Sequence, residues 1–206
     1  MRSQYSVLLV TIKNYSEQWD WTVMKKYVFK PYNKNFPTLF SAEKMRIADA
    51  VQNSLGIDCV VEHVGSTAVP GLGGKGIIDS AIATHKTNFE ELVQVLTSLG
   101  YVLREQWSTP ERWFLRADLA DPEEGVRRYH VHVTFSESSE WKELIAFRDY
   151  LRENPSELQR YAGLKQNAAM QANEDGAMYR KLKVPLFADV LKKIKKLQNI
   201  KKGSII

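Results

Sequence analysis

Apolar residues at Phe40, Ile47, Val51 and Leu55 form one stripe behind Asn35, Phe36 and Pro37, and Gly56 closes the run, which predicts a helix. The period then falls to two. From Ile57 to Val64, Cys59, Val61 and His63 alternate with Val60, Glu62 and Val64. Both sets are largely apolar, as in a central strand packed between layers. A second strand is expected through Ile77, Ile78, Asp79, Ser80, Ala81, Ile82 and Ala83. Helical spacing returns from Phe89 to Leu99, with Thr87 or Asn88 as cap and Gly100 as terminator, and Tyr101 to Glu105 resumes as a strand.

Alternation from Glu111 to Arg116 places Arg112, Phe114 and Arg116 together. Residues 117 to 125 carry Asp118, Asp121, Pro122, Glu123 and Glu124, and are expected to form an exposed acidic loop. The strand from Arg128 to Phe135 sends Arg128, His130, His132 and Thr134 to one face and Tyr129, Val131, Val133 and Phe135 to the other. Beyond Ser138 the pattern is helical: Trp141, Leu144, Ile145, Phe147 and Leu151 mark one helix, Asn154 and Pro155 open another, and Met178 to Gln198 make a third. A mixed strand region followed by a helical run predicts an α+β domain with a helical bundle against one side of the sheet.

Between the first two strands lies a small-residue loop. Gly65, Gly71, Gly73, Gly74 and Gly76 let the backbone approach a ligand, while Ser66, Thr67 and Lys75 supply hydroxyl and ammonium donors suited to a phosphate. Asp79 is the only carboxylate in the following strand, an otherwise apolar setting in which an acid needs a partner such as a metal ion or a phosphate-bearing substrate. A dinucleotide fingerprint is excluded, because a strand follows Gly71, Gly73 and Gly76 where that motif opens a helix. A Walker loop is excluded because Val69 and Gly76 stand where it needs Gly and Ser or Thr.

The 206 residues, 44% of them hydrophobic, suffice for one core with a helical appendage. No apolar run has the length of a membrane span, so a cytoplasmic protein without membrane contact is expected. The single cysteine, Cys59, lies in a strand and reads as a buried thiol; no disulfide or cysteine-based zinc site follows from it. Much of the net charge of +5 comes from Lys192, Lys193, Lys195 and Lys196, interleaved with Leu191, Ile194 and Leu197. That spacing describes a solvated helix face, with contact to nucleic acid as the secondary reading. Trp19, Trp21, Trp107, Trp113 and Trp141 lack clustered basic neighbours and read as core or loop anchors, not as base-stacking platforms.

Glu62, His63, Val64, Gly65, Ser66, Thr67, Ala68, Val69, Pro70, Gly71 and Leu72, with Lys75 and Asp79 behind them, resemble the signature of the GrpB family. Tyr129 to Val133, Glu140 and Trp141, Ala146 to Arg152, and Tyr161 to Lys165 agree in order and spacing, and the resemblance spans roughly Lys26 to Lys192. It implies a nucleotidyltransferase-like mixed β-sheet with flanking helices, formed by a single domain over residues 26–200. Residues 1–25 fall outside the resemblance and are expected to be an N-terminal extension, with Met24 placed like a natural start.

The resemblance also implies chemistry. In nucleotidyltransferase folds a Gly-Ser turn binds triphosphate, and two carboxylates spaced Asp-x-Asp or Asp-x-Glu hold magnesium ions. Gly65, Ser66 and Asp79 match; Ala81 stands where the second acid belongs, and Gly76 follows Lys75 where the family more often has proline. The expected ligand is a nucleotide or another phosphorylated small molecule, and the activity implied is nucleotidyl transfer. Asp79 would be catalytic; Gly65, Ser66, Thr67, Lys75, Arg112, Arg128 and His130 would bind substrate; Asp79, His130 and His132 would hold a divalent metal, magnesium or manganese before zinc. The paired histidines read more readily as a hydrogen-bonded or phosphate-binding pair than as a metal site, since Arg128 beside them repels a cation and forks onto phosphate. His63 reads as an internal hydrogen-bonding group that orients the turn at Gly65. Tyr161 and Lys165, at i and i+4, share a helix face and read as packing residues. Two other classes stay open: a catalytically silent domain that contacts RNA or protein through its basic terminal helix, and a single-metal hydrolase.

Overall fold

The computed structural model describes residues 27–203, so the extension expected over residues 1–25 lies outside the described residues. Strand β1 (Val60–Val64) pairs antiparallel with β2 (Ile78–Ala83), and β2 runs parallel to β5 (Gly125–Thr134). Strand β5 is antiparallel to β4 (Trp113–Asp121), which pairs with the short β3 (Val102–Leu103). The order β1-β2-β5-β4-β3 makes the mixed sheet expected, in an α+β domain.

Strand alternation gives the sheet two different faces. On one, Val61, Ile78, Ile82, Leu115, Val131 and Val133 pack against helices α1 (Phe36–Leu55) and α2 (Phe89–Ser98), which contribute Ile47, Val51, Leu92 and Leu96. This is the main core, and a Leu or Ile to Ala change there would cost about 2–5 kcal/mol. The other face carries Asp79, His130 and His132, and is covered by α3 (Ser139–Glu153), α4 (Pro155–Ala172) and α5 (Gly176–Gly203). These helices have a core of their own, Phe147, Leu151, Tyr161, Val190 and Ile194, which also takes in Val69 and Leu72 of the loop between β1 and β2. Arg148 of α3 ties the bundle to β1, donating to Glu62 at 2.5 Å and to the His63 carbonyl at 3.0 Å.

Three expectations change. The strand expected from Ile57 as a central one begins at Val60 and lies at the edge of the sheet, its outward face covered by the helical bundle through Arg148. The acidic stretch 117 to 121 is strand, not loop: Ala117, Asp118, Leu119 and Ala120 pair with Tyr129, Arg128, Arg127 and Val126 across a tight hairpin. Its acids are tolerated because Asp118 meets Arg116 and Arg128, while Asp121 meets the buried Arg127 at 2.5 Å. The strand expected from Tyr101 to Glu105 shrinks to two residues, as Glu105 to Trp107 turn into a short 3-10 segment.

Candidate functional site

The loop after β1 is pinned at both ends. His63 turns away from the helical bundle, stacks on Phe40 with ring centres 4.4 Å apart, and donates from Nε2 to the Thr67 hydroxyl at 3.0 Å. Thr67 in turn donates to the Ile77 carbonyl at 2.9 Å, joining the start of the loop to its end. Burial pushes the His63 imidazole down to about 4, so it acts as a neutral donor at pH 7. Between these ends, Lys165 of α4 donates to the Gly73 carbonyl at 2.6 Å, Arg127 donates to the Gly76 carbonyl at 3.0 Å, and Lys30 exchanges backbone hydrogen bonds with Gly74. The turn that presents Gly65 and Ser66 is therefore held in place before any ligand arrives.

Asp79 and His130 occupy paired positions on parallel strands, which brings them to the same face. His130 Nδ1 and Asp79 Oδ1 are 2.9 Å apart in a hydrogen bond, and His132 Nε2 stands 3.9 Å from the same oxygen. Phe114 of β4 packs edge-on to both imidazoles, with ring centres 4.8 and 5.1 Å away. Burial alone would raise the Asp79 carboxyl, but the two imidazoles outweigh it and hold the group below the usual carboxylate range. Burial pushes His132 down, and its Nδ1 is enclosed without a hydrogen-bond partner among the described residues.

These groups open into a cleft of about 560 Å³ between the sheet and the C-terminal helices. Its lining includes Gly65, Ser66, Lys75, Asp79, Arg112, Arg116, Arg128, His130 and His132 from the sheet side, with Arg180 and Lys183 from α5. Six cationic side chains thus face a single carboxylate. Arg112 pairs with Glu140, and Arg116 and Arg128 share Asp118. The lysines are less well compensated. Burial pushes the Lys75 ammonium down to about 8, with the charges of Arg180, Arg128 and Lys183 adding to the effect, and it lowers Lys183 as well. Lys165, buried behind the loop, is pushed down to about 7 by the same cause and by Lys183. The carboxylate whose charge reaches all three is Asp79. An anion would relieve this repulsion.

A family profile described as GrpB protein matches residues 26–193. The chain belongs to the GrpB family. A UPF0157 protein of Halalkalibacterium halodurans is 32% identical over 163 residues, which is 79% of either protein. A second, from Pseudomonas aeruginosa, is 33% identical over 164 residues, 78% of this chain and 64% of that protein. The crystal structure of the conserved protein GrpB from Enterococcus faecalis, 26% identical, overlays with a TM-score of 0.68 over 83% of this chain and 99% of that one.

A two-metal centre is a poor fit to this GrpB chain. Position 81 holds Ala81, fully buried between Glu62 and His132 in the sheet register. Glu62 could have substituted from β1, but its carboxylate is taken by Arg148. Asp79 and His130 are engaged with each other, and among the described residues no group of three His, Cys, Asp or Glu side chains is arranged to hold a metal ion. Of the expected substrate-binding residues, Gly65, Ser66, Lys75, Arg112, Arg128 and His130 line the cleft. Thr67 does not; its hydroxyl is spent on the loop latch. Arg180 and Lys183 were missed by sequence reasoning, although they share a helix face with Val184 and Phe187, and cations set among apolar residues at i, i+3, i+4 and i+7 are a readable signal of a lined cleft. Trp107, expected in the core or as a loop anchor, sits on the short 3-10 segment and lies half-exposed in the lining of the cleft.

Proposed function

We propose that the cleft binds a nucleotide or another phosphorylated small molecule. The observation that carries this reading is that Lys75, Arg128, Arg180 and Lys183 line one cleft together with the pinned Gly65–Ser66 turn, with Asp79 as the one carboxylate in that lining. Lysines whose charged form is disfavoured by burial and mutual repulsion gain most from a polyanion. The cleft volume lies inside the range of small-ligand sites.

The Asp79–His130 pair supplies acid–base chemistry beside the bound phosphate. With Nδ1–H given to Asp79, His130 keeps Nε2 as an acceptor that can take a proton from a hydroxyl or water attacking phosphorus. Nucleotidyl transfer is the reaction the family resemblance points to, and Asp79 with His130 are the residues that would serve it. A cytoplasmic setting, where nucleotides are available, is part of the same proposal. The alternative of nucleic-acid contact through the terminal helix is weakened by Lys193 and Lys195, which meet Glu157 and Glu143 of the neighbouring helices. Titration calorimetry with ATP and with tripolyphosphate tests the proposal: saturable binding that Arg180→Glu with Lys183→Glu abolishes supports it, and absence of binding to either anion refutes it.

A further inference from the structure

The cleft is lined by aromatic and apolar side chains as well as by charged ones. On the sheet side Trp107 packs edge-on to Phe114, ring centres 5.6 Å apart, and Phe114 in turn backs the two imidazoles. On the helix side Phe147 lies against Phe187 at 4.5 Å and against Tyr161 at 5.4 Å, with Val184 beside them. Trp107 is 47% exposed and Val184 is 66% exposed, although both belong to the lining of the same cleft. Exposed apolar side chains brought from the sheet side and the helix side into one cleft offer a surface that an apolar ligand face can cover. Trp107 is carried by the short 3-10 segment Glu105–Trp107, whose neighbour Arg112 donates to the Trp107 carbonyl at 3.2 Å and pairs with Glu140, so its position is fixed.

We infer that the cleft takes a nucleotide specifically, with the nucleobase held between Trp107 on the sheet side and Val184 and Phe187 on the helix side. This rests on the phosphate reading above and adds the ring. A planar base has an apolar face that stacks on indole and covers aliphatic surface, and its phosphates then extend toward Lys75, Arg180 and Lys183. Stacking tolerates any base, so the geometry sets no preference among them.

The test compares ATP with ribose 5-triphosphate, which keeps sugar and phosphates but lacks the ring, and uses tripolyphosphate as the anion control. Wild type is predicted to bind ATP about tenfold more tightly than ribose 5-triphosphate, a ratio within the range for one stacked base. Trp107→Ala should lose that advantage and bind ribose 5-triphosphate as wild type does. Trp107→Phe should restore the preference, while the quench of intrinsic fluorescence seen with ATP on wild type disappears with the indole. Equal binding of ATP and ribose 5-triphosphate by wild type, or a Trp107→Ala variant that keeps the preference, overturns the base pocket and leaves the anion site standing, because tripolyphosphate still binds. If tripolyphosphate and both sugar ligands fail to bind, the anion reading falls and the base pocket with it.

Discussion

A β-carbon placed on Gly65 would stand 2.3 Å from Oδ2 of Asp79, so the turn and the carboxylate are built against each other. Gly65 has φ 72° and ψ −167°, a conformation that is essentially glycine's alone. Its freedom therefore serves the packing of the turn on Asp79 as much as the approach of a ligand.

Gly65→Ala is predicted to cost about 2–5 kcal/mol, summing backbone strain and overpacking, as measured by urea unfolding. Gly65→Ala with Asp79→Gly should recover only part of that loss, because the second change removes the steric conflict and leaves the backbone strained. Full recovery would show that the backbone conformation costs nothing beyond the clash, and a neutral single variant would show that the contact is not structural.

The Asp79–His130 hydrogen bond sets a tautomer. With the carboxylate accepting from Nδ1, the neutral ring carries its proton there and leaves Nε2 bare. Nitrogen chemical shifts of the labelled His130 ring should report this form at pH above the histidine range. Asp79→Ala should shift the population toward the Nε2–H tautomer that free imidazoles favour. An unchanged spectrum would mean that the pair does not orient the ring.

Buried lysines make both binding and stability depend on pH. Lys165 falls from an ordinary value of 10.5 to about 7, and Lys75 to about 8. In the window between these folded values and 10.5, the unfolded chain holds protons that the native state has released. Native stability in the absence of ligand should therefore rise with pH across that window, and the penalty for keeping the lysines charged is fully present below about 7. Lys165→Met should flatten the rise. A bound polyphosphate draws the protons back, so affinity should fall as pH climbs from about 7 to about 9, and calorimetry at the alkaline end should show net proton uptake in buffers of differing ionisation enthalpy. Heats independent of the buffer would remove the lysines from the site.

Arg127 and Asp121 form an ion pair that is almost wholly enclosed, and Arg127 also holds the Gly76 carbonyl at the end of the loop. Replacing Arg127 by Met leaves a carboxylate buried without its partner and should destabilise the fold by about 3–5 kcal/mol. Adding Asp121→Leu should return most of that loss in chemical denaturation, since the uncompensated charge is gone. A double variant as unstable as the single one would mean that the Gly76 contact, not the pair, supplies the stability.

Much of this arrangement could be read from residue order. Alternation in β5 put His130 and His132 on the face opposite Tyr129, Val131 and Val133, and the structure keeps that division. What alternation does not contain is register: that Asp79 lies beside His130 follows from the parallel pairing of β2 and β5, a non-local fact. Thr67 illustrates the same limit. A hydroxyl next to Gly65 and Ser66 reads as a phosphate donor, yet the backbone turn points it at Ile77 and His63, where it closes the loop. Residues 117 to 121 misled because acids are poor strand formers, and the arginines that neutralise them arrive from the facing strand. Arg180 and Lys183 reach the cleft only because α5 folds back over the sheet.

The claim that the cleft is an anion site is tested most directly by isothermal titration of ATP into wild type and into Arg180→Glu/Lys183→Glu at neutral pH. Arg180 is exposed and Lys183 half-buried on the cleft side of α5, so a melting curve must show that the variant keeps its fold. The predicted result is saturable binding by wild type, weakened at least about tenfold in the double variant by loss of two charge-assisted contacts. Binding of equal strength in the two proteins, or none in wild type at millimolar ATP, would contradict it.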